Sequence, residues 1–241
     1  MVMCESQKEQ LSWYESNLPL GERKKRGHFS TPPALVEAIL DASGYTPEAN
    51  LTQVRVLDPA CGSGNFLVGA AQRLVAFGRR MPLAQEEHAA LISRNLWGLD
   101  PDPVACFLAE MQLRALLRDA DTQLHIHQAD ALALPWEPCV DLFVANPPYL
   151  AAKNNDLSGY RFAQRGQSDS YLLFLNLALQ VVRPNGWVGL VLPDPLLARS
   201  NAATERAHLL EKFTIHHLWH LSGVFAADVG AVVIVAQKKS P

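Results

Sequence analysis

Asp58-Pro-Ala-Cys-Gly-Ser-Gly64 is the segment that most restricts how this chain can fold. It follows the apolar run Val54-Arg-Val-Leu57 and precedes a helical pattern that starts near Phe66. A buried strand that breaks into a Gly-rich turn and then a helix is the opening of an α/β unit. The turn then lies at the carboxyl edge of a parallel sheet, where open α/β folds bind their ligands. Further strands are expected at Leu96 to Leu99, Leu124 to His127, Asp141 to Ala145, Trp187 to Leu192, Thr214 to Leu221 and Ala231 to Gln237. Helical patterns separate most of them, as at Pro103 to Arg118 and Ser170 to Val182. Alternating β and α with wholly apolar central strands predicts a doubly wound α/β sheet. Only a Gly-containing loop joins the last two strands, so they should form an antiparallel hairpin. The expectation is seven strands, mostly parallel, with one antiparallel strand.

With 241 residues, 49% hydrophobic and 19% charged, the chain can build one well-buried α/β domain and is short for two. Residues 27–241 read as that domain, and 1–26 as a polar, partly helical arm ending in Arg23-Lys-Lys-Arg26. No apolar run reaches the roughly 18 residues that span a bilayer, and the N-terminus lacks a signal-peptide layout. A cytoplasmic location with no membrane partner is expected. Cys4, Cys61, Cys106 and Cys139 form no CxxC pair, which argues against a zinc knuckle or a disulfide framework. Cys61 sits in the turn, where a small residue is needed to pack. His125 and His127 would share a strand face, and His216, His217 and His220 cluster near the end, but no Asp, Glu or Cys completes a ligand set. No metal is expected.

The chemistry sits at the strand ends. Gly62 and Gly64 let backbone approach a ligand closely, backed by the free N–H groups of a helix start. This is not the dinucleotide GxGxxG, because Asn65, Phe66 and Leu67 follow without a third glycine. Asp58 ends the first strand and offers a charge-assisted partner to a cationic amino group. Asp100 ends the second, where a carboxylate can accept two ribose hydroxyls. Asp102 competes for that role, but Asp100 terminates the apolar run directly. Asp130 follows the third strand, placed to meet an adenine amino group with Ala131 or Leu132 along the ring, or simply to cap a turn.

Asn146-Pro-Pro-Tyr149 follows the fourth strand. An aromatic amine is a poor nucleophile because its lone pair is delocalised. The Asn146 side-chain oxygen and the Pro147 carbonyl can each accept one amino hydrogen, which pulls the nitrogen toward tetrahedral geometry. Methyl transfer is then an in-line displacement dominated by positioning. Tyr149 offers a ring on which a base taken out of its stack can rest. Upstream, Gly27-His-Phe-Ser-Thr-Pro-Pro33 reads as a loop leading into the helical pattern Ala34 to Leu40, with Thr31 placed to cap it.

The two strings Asp58–Gly64 and Asn146–Tyr149 together resemble the gamma-ordered DNA adenine methyltransferases over residues 27–239. The resemblance implies a Rossmann-like fold with S-adenosylmethionine as cofactor. It implies cofactor contacts from Thr31, Asp58, Ala60, Gly62, Gly64, Asp100, Asp130, Ala131 and Asn146, with Asp169 lining the same pocket. It makes Asn146, Pro147 and Tyr149 catalytic, and Phe225 a second aromatic contact to a flipped adenine in double-stranded DNA. Such enzymes usually carry a target-recognition domain after the last strand, whereas this sequence stops at Pro241. Recognition is therefore expected from a longer parent chain or a separate specificity subunit. The net charge of −3 also does not suit a chain that grips a duplex unaided. Local patches such as Arg23 to Arg26 and Arg79-Arg80 are the candidate phosphate contacts.

Three other readings remain in view. Protein glutamine methyltransferases of the release-factor type use the same Asn-Pro-Pro-Tyr, but lack the Phe29-Ser-Thr-Pro-Pro33 loop and have a different cofactor turn. An RNA base methyltransferase is a third possibility. A non-catalytic cofactor-binding subunit of a restriction or defence assembly is a fourth, against which the intact Asn146 and Tyr149 argue.

Overall fold

Val56, Leu57 and Asp58 are buried on both faces and form β1 (Val56–Asp58) at the centre of a sheet. The computed structural model describes residues 30–81, 83–117, 122–151, 156–161, 169–222 and 230–239. Seven strands run in the order β3-β2-β1-β4-β5-β7-β6. The others are β2 (Leu96–Asp100), β3 (His125–Gln128), β4 (Val140–Ala145), β5 (Val182–Pro193), β6 (Phe213–Leu221) and β7 (Ala231–Lys238). β7 is antiparallel to both β5 and β6, and the remaining described pairs are parallel. The expected seven strands with one reversed strand are therefore present.

Side chains alternate along each strand, and the alternation sorts them into two cores. Val56, Leu142, Val144 and Val233 face one side. There they meet α1 (Pro33–Ala42), α2 (Asn65–Arg80), α3 (Gln85–Asn95) and α4 (Pro103–Leu117) through Ile39, Leu67, Ile92 and Leu113. Leu57, Phe143, Ala145 and Ile234 face the other side. They pack on α5 (Ser170–Val181), and on α7 (Ala203–Lys212) through Leu209. α6 (Pro195–Ala198) links β5 toward α7. No described helix is long and apolar enough to cross a membrane.

α1 is tied to α2 by two devices. A Cβ at Gly69 would lie 2.7 Å from Cγ1 of Val36, so only glycine allows this approach. Arg73, 5% exposed, donates to Asp41 Oδ1 at 2.6 Å, Glu37 Oε2 at 2.6 Å and the Tyr45 carbonyl at 2.7 Å.

Two local expectations need correction. Thr31 does not cap α1: Pro32 holds the N-cap position with no side-chain cap, and Pro33 opens the helix. At the helix start Leu35 donates to the Pro32 carbonyl in a tight turn, and Val36 makes the first regular helical bond to the same carbonyl. β5 starts at Val182, five positions before Trp187, because Val182 already pairs with Val140. The next pair is Leu142 with Trp187, so residues 183–186 bulge between them, with Asn185 at φ 64°.

Candidate active site at the carboxyl edge of the sheet

β1 and β2 both end in buried carboxylates. Asp58 and Asp100 are each 2% exposed. Among the described residues, only the Ala60 amide donates to the Asp58 carboxylate, at 3.2 Å. Burial, reinforced by the charge of Asp100, pushes the Asp58 carboxyl up to about 8, against the pull of that amide. Asp100 braces the turn. Its Oδ2 accepts from the Gly62 amide at 3.0 Å, and its Oδ1 from the Asp102 amide at 2.9 Å. Asp102 has a different task, accepting from the Val104 amide at the start of α4 at 2.9 Å.

The turn itself is fixed by its glycines. Gly62 and Gly64 take φ 52° and 94°, a region costly for residues with a Cβ. A Cβ at Gly64 would stand 2.9 Å from Cβ of Ala109 in α4, whereas one at Gly62 would meet nothing within 4 Å. Gly64 is therefore required by packing, and Gly62 faces open space. Cys61 is buried beneath the turn, and burial holds its thiol well above the usual range. That agrees with a packing role.

After β3, Asp130 caps the 3-10 turn Ala131–Ala133 by accepting from the Leu132 amide at 3.0 Å. Its other oxygen accepts from the Tyr160 hydroxyl at 2.6 Å. That bond raises the phenol to about 12. Ala131 is buried beside it. The cap was foreseen in sequence; Tyr160 was not, because it lies in a long polar stretch between β4 and α5 with no motif around it.

Asn146 leaves β4 next to these strand ends. Its Nδ2 donates to Oγ1 of Thr31 at 3.1 Å, and its Oδ1 accepts from the Tyr149 hydroxyl at 3.0 Å. The Tyr149 hydroxyl also lies 3.2 Å from the Val191 carbonyl on β5. Burial raises the phenol well above its ordinary value. Tyr149 thus has its hydroxyl turned into the fold, with its ring only partly buried against the core. Pro147 is buried behind the loop. Ser170, at the start of α5, fastens the far end: its hydroxyl donates to the Pro148 carbonyl and accepts from the Leu150 amide at 2.8 Å. A serine opening a helix carries no motif signal, so sequence reasoning passed it over.

The remaining candidates are more scattered. Asp169 faces Arg199 at 3.7 Å. Phe225 and the basic run Arg23 to Arg26 lie outside the described residues, as does the arm 1–26. Arg80 pairs with Glu48 at 2.7 Å on the surface. His125 stacks on Trp97 with centroids 3.9 Å apart, and His216 lies against Trp187. Among the described residues, no three His, Cys, Asp or Glu side chains converge as a metal site.

Similarity to known proteins is consistent along the chain. The type II methyltransferase M.XhoI of Xanthomonas vasicola is 26% identical over 215 residues, covering 80% of this chain and 38% of the relative. The type I restriction enzyme EcoEI methylase subunit of Escherichia coli is 26% identical over 209 residues, covering 85% and 40%. The chain thus spans about two-fifths of the length of these relatives. Among solved structures, the EcoKI M protein of a type I restriction enzyme aligns with a TM-score of 0.70 at 22% identity, covering 89% of this chain and 44% of that one. A Listeria monocytogenes chain assigned to the class I S-adenosylmethionine-dependent methyltransferases aligns at 0.68 with 18% identity, covering 95% and 65%. These structural likenesses establish the Rossmann-like methyltransferase fold. The family model described as N-6 DNA Methylase matches residues 14–241, and the chain belongs to that family.

Proposed function

We propose that this chain is the catalytic core of a DNA adenine-N6 methyltransferase of restriction–modification type, with S-adenosylmethionine as methyl donor. The observation that carries the reading is the placement of the Asn146 amide. It leaves β4 beside the Gly-rich turn and is tied through Thr31 to the loop ahead of α1.

The residues present fit the donor. Asp58 is a buried carboxyl whose charge is disfavoured; an ammonium beside it would remove that penalty. Asp100 stands two residues past the position paired with Asp58, where the second-strand carboxylate of such folds would accept the ribose hydroxyls. Gly62 opens onto space that no Cβ would fill. Asp130, Ala60, Gly64 and Ala131 are further members of the proposed cofactor set, which Thr31 and Asn146 border. When bound, the cofactor supplies an electrophilic methyl group.

The chain's own work is to hold the amine. Asn146 Oδ1 and the Pro147 carbonyl would each accept one hydrogen of the adenine amino group, turning its lone pair toward the methyl. The Tyr149 hydroxyl stands on Asn146 Oδ1 and has the Val191 carbonyl as its alternative acceptor. Its proton can therefore move to Val191 when the amine takes Oδ1, and the ring then serves the extruded base. Phe225 is proposed as the second aromatic wall.

Sequence recognition needs side chains that reach base edges in a groove. We infer that a domain or subunit beyond these residues supplies them to double-stranded DNA. The proposed DNA substrate and the free thiols Cys61, Cys106 and Cys139 support a cytoplasmic setting.

The decisive experiment incubates the protein with methyl-labelled cofactor and, in parallel, mixed-sequence DNA, RNA and protein, then digests each and locates the label. Label in 6-methyladenine is expected. Label in a protein glutamine or in RNA, with none in DNA, would overturn the reading.

A further inference from the structure

The catalytic loop is fastened from outside β4. Nδ2 of Asn146 donates to Oγ1 of Thr31 at 3.1 Å. The carbonyl of Thr31 in turn accepts from Nδ2 of Asn65 at 2.9 Å, and that same nitrogen donates to Oγ of Ser30 at 2.8 Å. Asn65 is the first residue of α2, directly after Gly64. Two asparagine amides, meeting on one threonine, therefore join three segments far apart in sequence: the loop before α1, the Gly-rich turn and the loop after β4. Thr31 is 4% exposed, so its contacts are shielded from competing water.

An asparagine amide has an acceptor side and a donor side, and half a turn about its last torsion exchanges them. The reaction needs the acceptor side toward the amine. With one amide hydrogen on Thr31, Oδ1 is left on the opposite side, where the Tyr149 hydroxyl stands. We propose that Thr31 is a positioning residue for the catalytic amide, and that Asn65 fixes Thr31 so that the turn and the catalytic loop act as one unit. This rests on the reading of Asn146 as the group that aligns a nitrogen nucleophile. It differs from a simple contact between Thr31 and the cofactor, which would govern affinity rather than turnover.

Four variants of the protein separate the two roles: Thr31→Val, Thr31→Ser, Thr31→Ala and Asn65→Ala. Turnover is measured with labelled cofactor on mixed-sequence DNA, and cofactor-site affinity by calorimetry with S-adenosylhomocysteine. Thr31→Val should lower kcat at least tenfold while changing the calorimetric Kd less than about threefold, and Thr31→Ser should restore most of the loss. Asn65→Ala should lower kcat in the same direction, and its combination with Thr31→Val should be less than additive. Should Thr31→Val lose its melting transition, Thr31→Ala carries the same expectation. The proposal falls if the valine variant keeps wild-type kcat. It also falls if its whole effect lies in Kd, or if serine fails to rescue. Label appearing on a glutamine amide rather than on adenine would overturn the DNA reading instead, while the valine–serine comparison would still decide the role of Thr31.

Discussion

Asp58 and Asp100 end neighbouring strands, and the charge of Asp100 adds to burial in pushing the Asp58 carboxyl up to about 8 from 3.8. The folded chain then holds a proton that the unfolded chain releases above about pH 4. Stability from this group is undiminished below the unfolded value, declines as pH rises between the two, and levels off above about 8. Asp58→Asn should therefore melt higher than wild type at pH 8, with the gap closing toward pH 4. It should also lose cofactor affinity at least tenfold, the loss of one charged contact. A variant that melts lower at pH 8, or that binds the cofactor within about twofold, would remove Asp58 from this role.

As the proposed partner of the ligand's ammonium, Asp58 should make cofactor binding a proton-releasing event at neutral pH. Affinity should rise with pH up to about 8, beyond which the ligand's own amino group begins to lose its proton. Calorimetry in two buffers of different ionisation enthalpy reads the released proton directly. Equal heats in both buffers would contradict the linkage.

Asn146→Ala should abolish methyl transfer with little change in cofactor affinity, because its oxygen, which accepts from the Tyr149 hydroxyl, is proposed to meet the target amine rather than the cofactor. Calorimetry separates the outcomes. Joint loss of binding and activity would place Asn146 in the cofactor pocket alone.

Tyr149→Phe keeps the ring but removes the donor to Asn146 and Val191. It should cost about 1 kcal/mol of stability and preserve the fluorescence rise of 2-aminopurine at the target position. Tyr149→Ala should weaken base binding by roughly 1–3 kcal/mol. Identical behaviour of the two variants would end the stacking role.

Arg73→Met tests the anchoring of α1. Glu37 and Asp41 are half exposed or more, so their ion pairs contribute little. The main loss is the donor to the Tyr45 carbonyl, about 2 kcal/mol. At roughly 2–4 °C per kcal/mol for a chain of this size, the melting midpoint should fall by about 4–8 °C. An unchanged midpoint would show that Gly69 packing alone holds the helix.

The sheet was legible because its signal is local. Apolar runs such as Asp141-Leu-Phe-Val-Ala145 announce a strand buried on both faces, and the Gly62 and Gly64 turn marks its edge. Asp58, Asp100 and Asn146 were legible for the same reason: each terminates such a run. What escaped depends on contacts across long sequence separation. Thr31 has the residue type and position of a helix cap, yet its hydroxyl is used by Asn146, 115 positions away. Tyr160 meets Asp130 from the stretch between β4 and α5, and Ser170 fastens a loop that ends twenty positions earlier. The start of β5 was missed because Pro184-Asn-Gly186 reads as a turn, and the pairing of Val182 with Val140 overrides it.

α1 reaches its place through side chains: the Arg73 fork and the Gly69 approach hold it against α2, and it contributes no strand to the sheet. The segment that follows it belongs to the same anchor, since the Tyr45 carbonyl takes a donor from Arg73 and Tyr45 and Leu51 are buried. A peptide carrying the Thr31 loop, α1 and residues 43–55 should therefore complement a chain from which that segment has been cut. The order in which the chain visits its active site is thus a matter of wiring, and the site itself is a matter of surface fit.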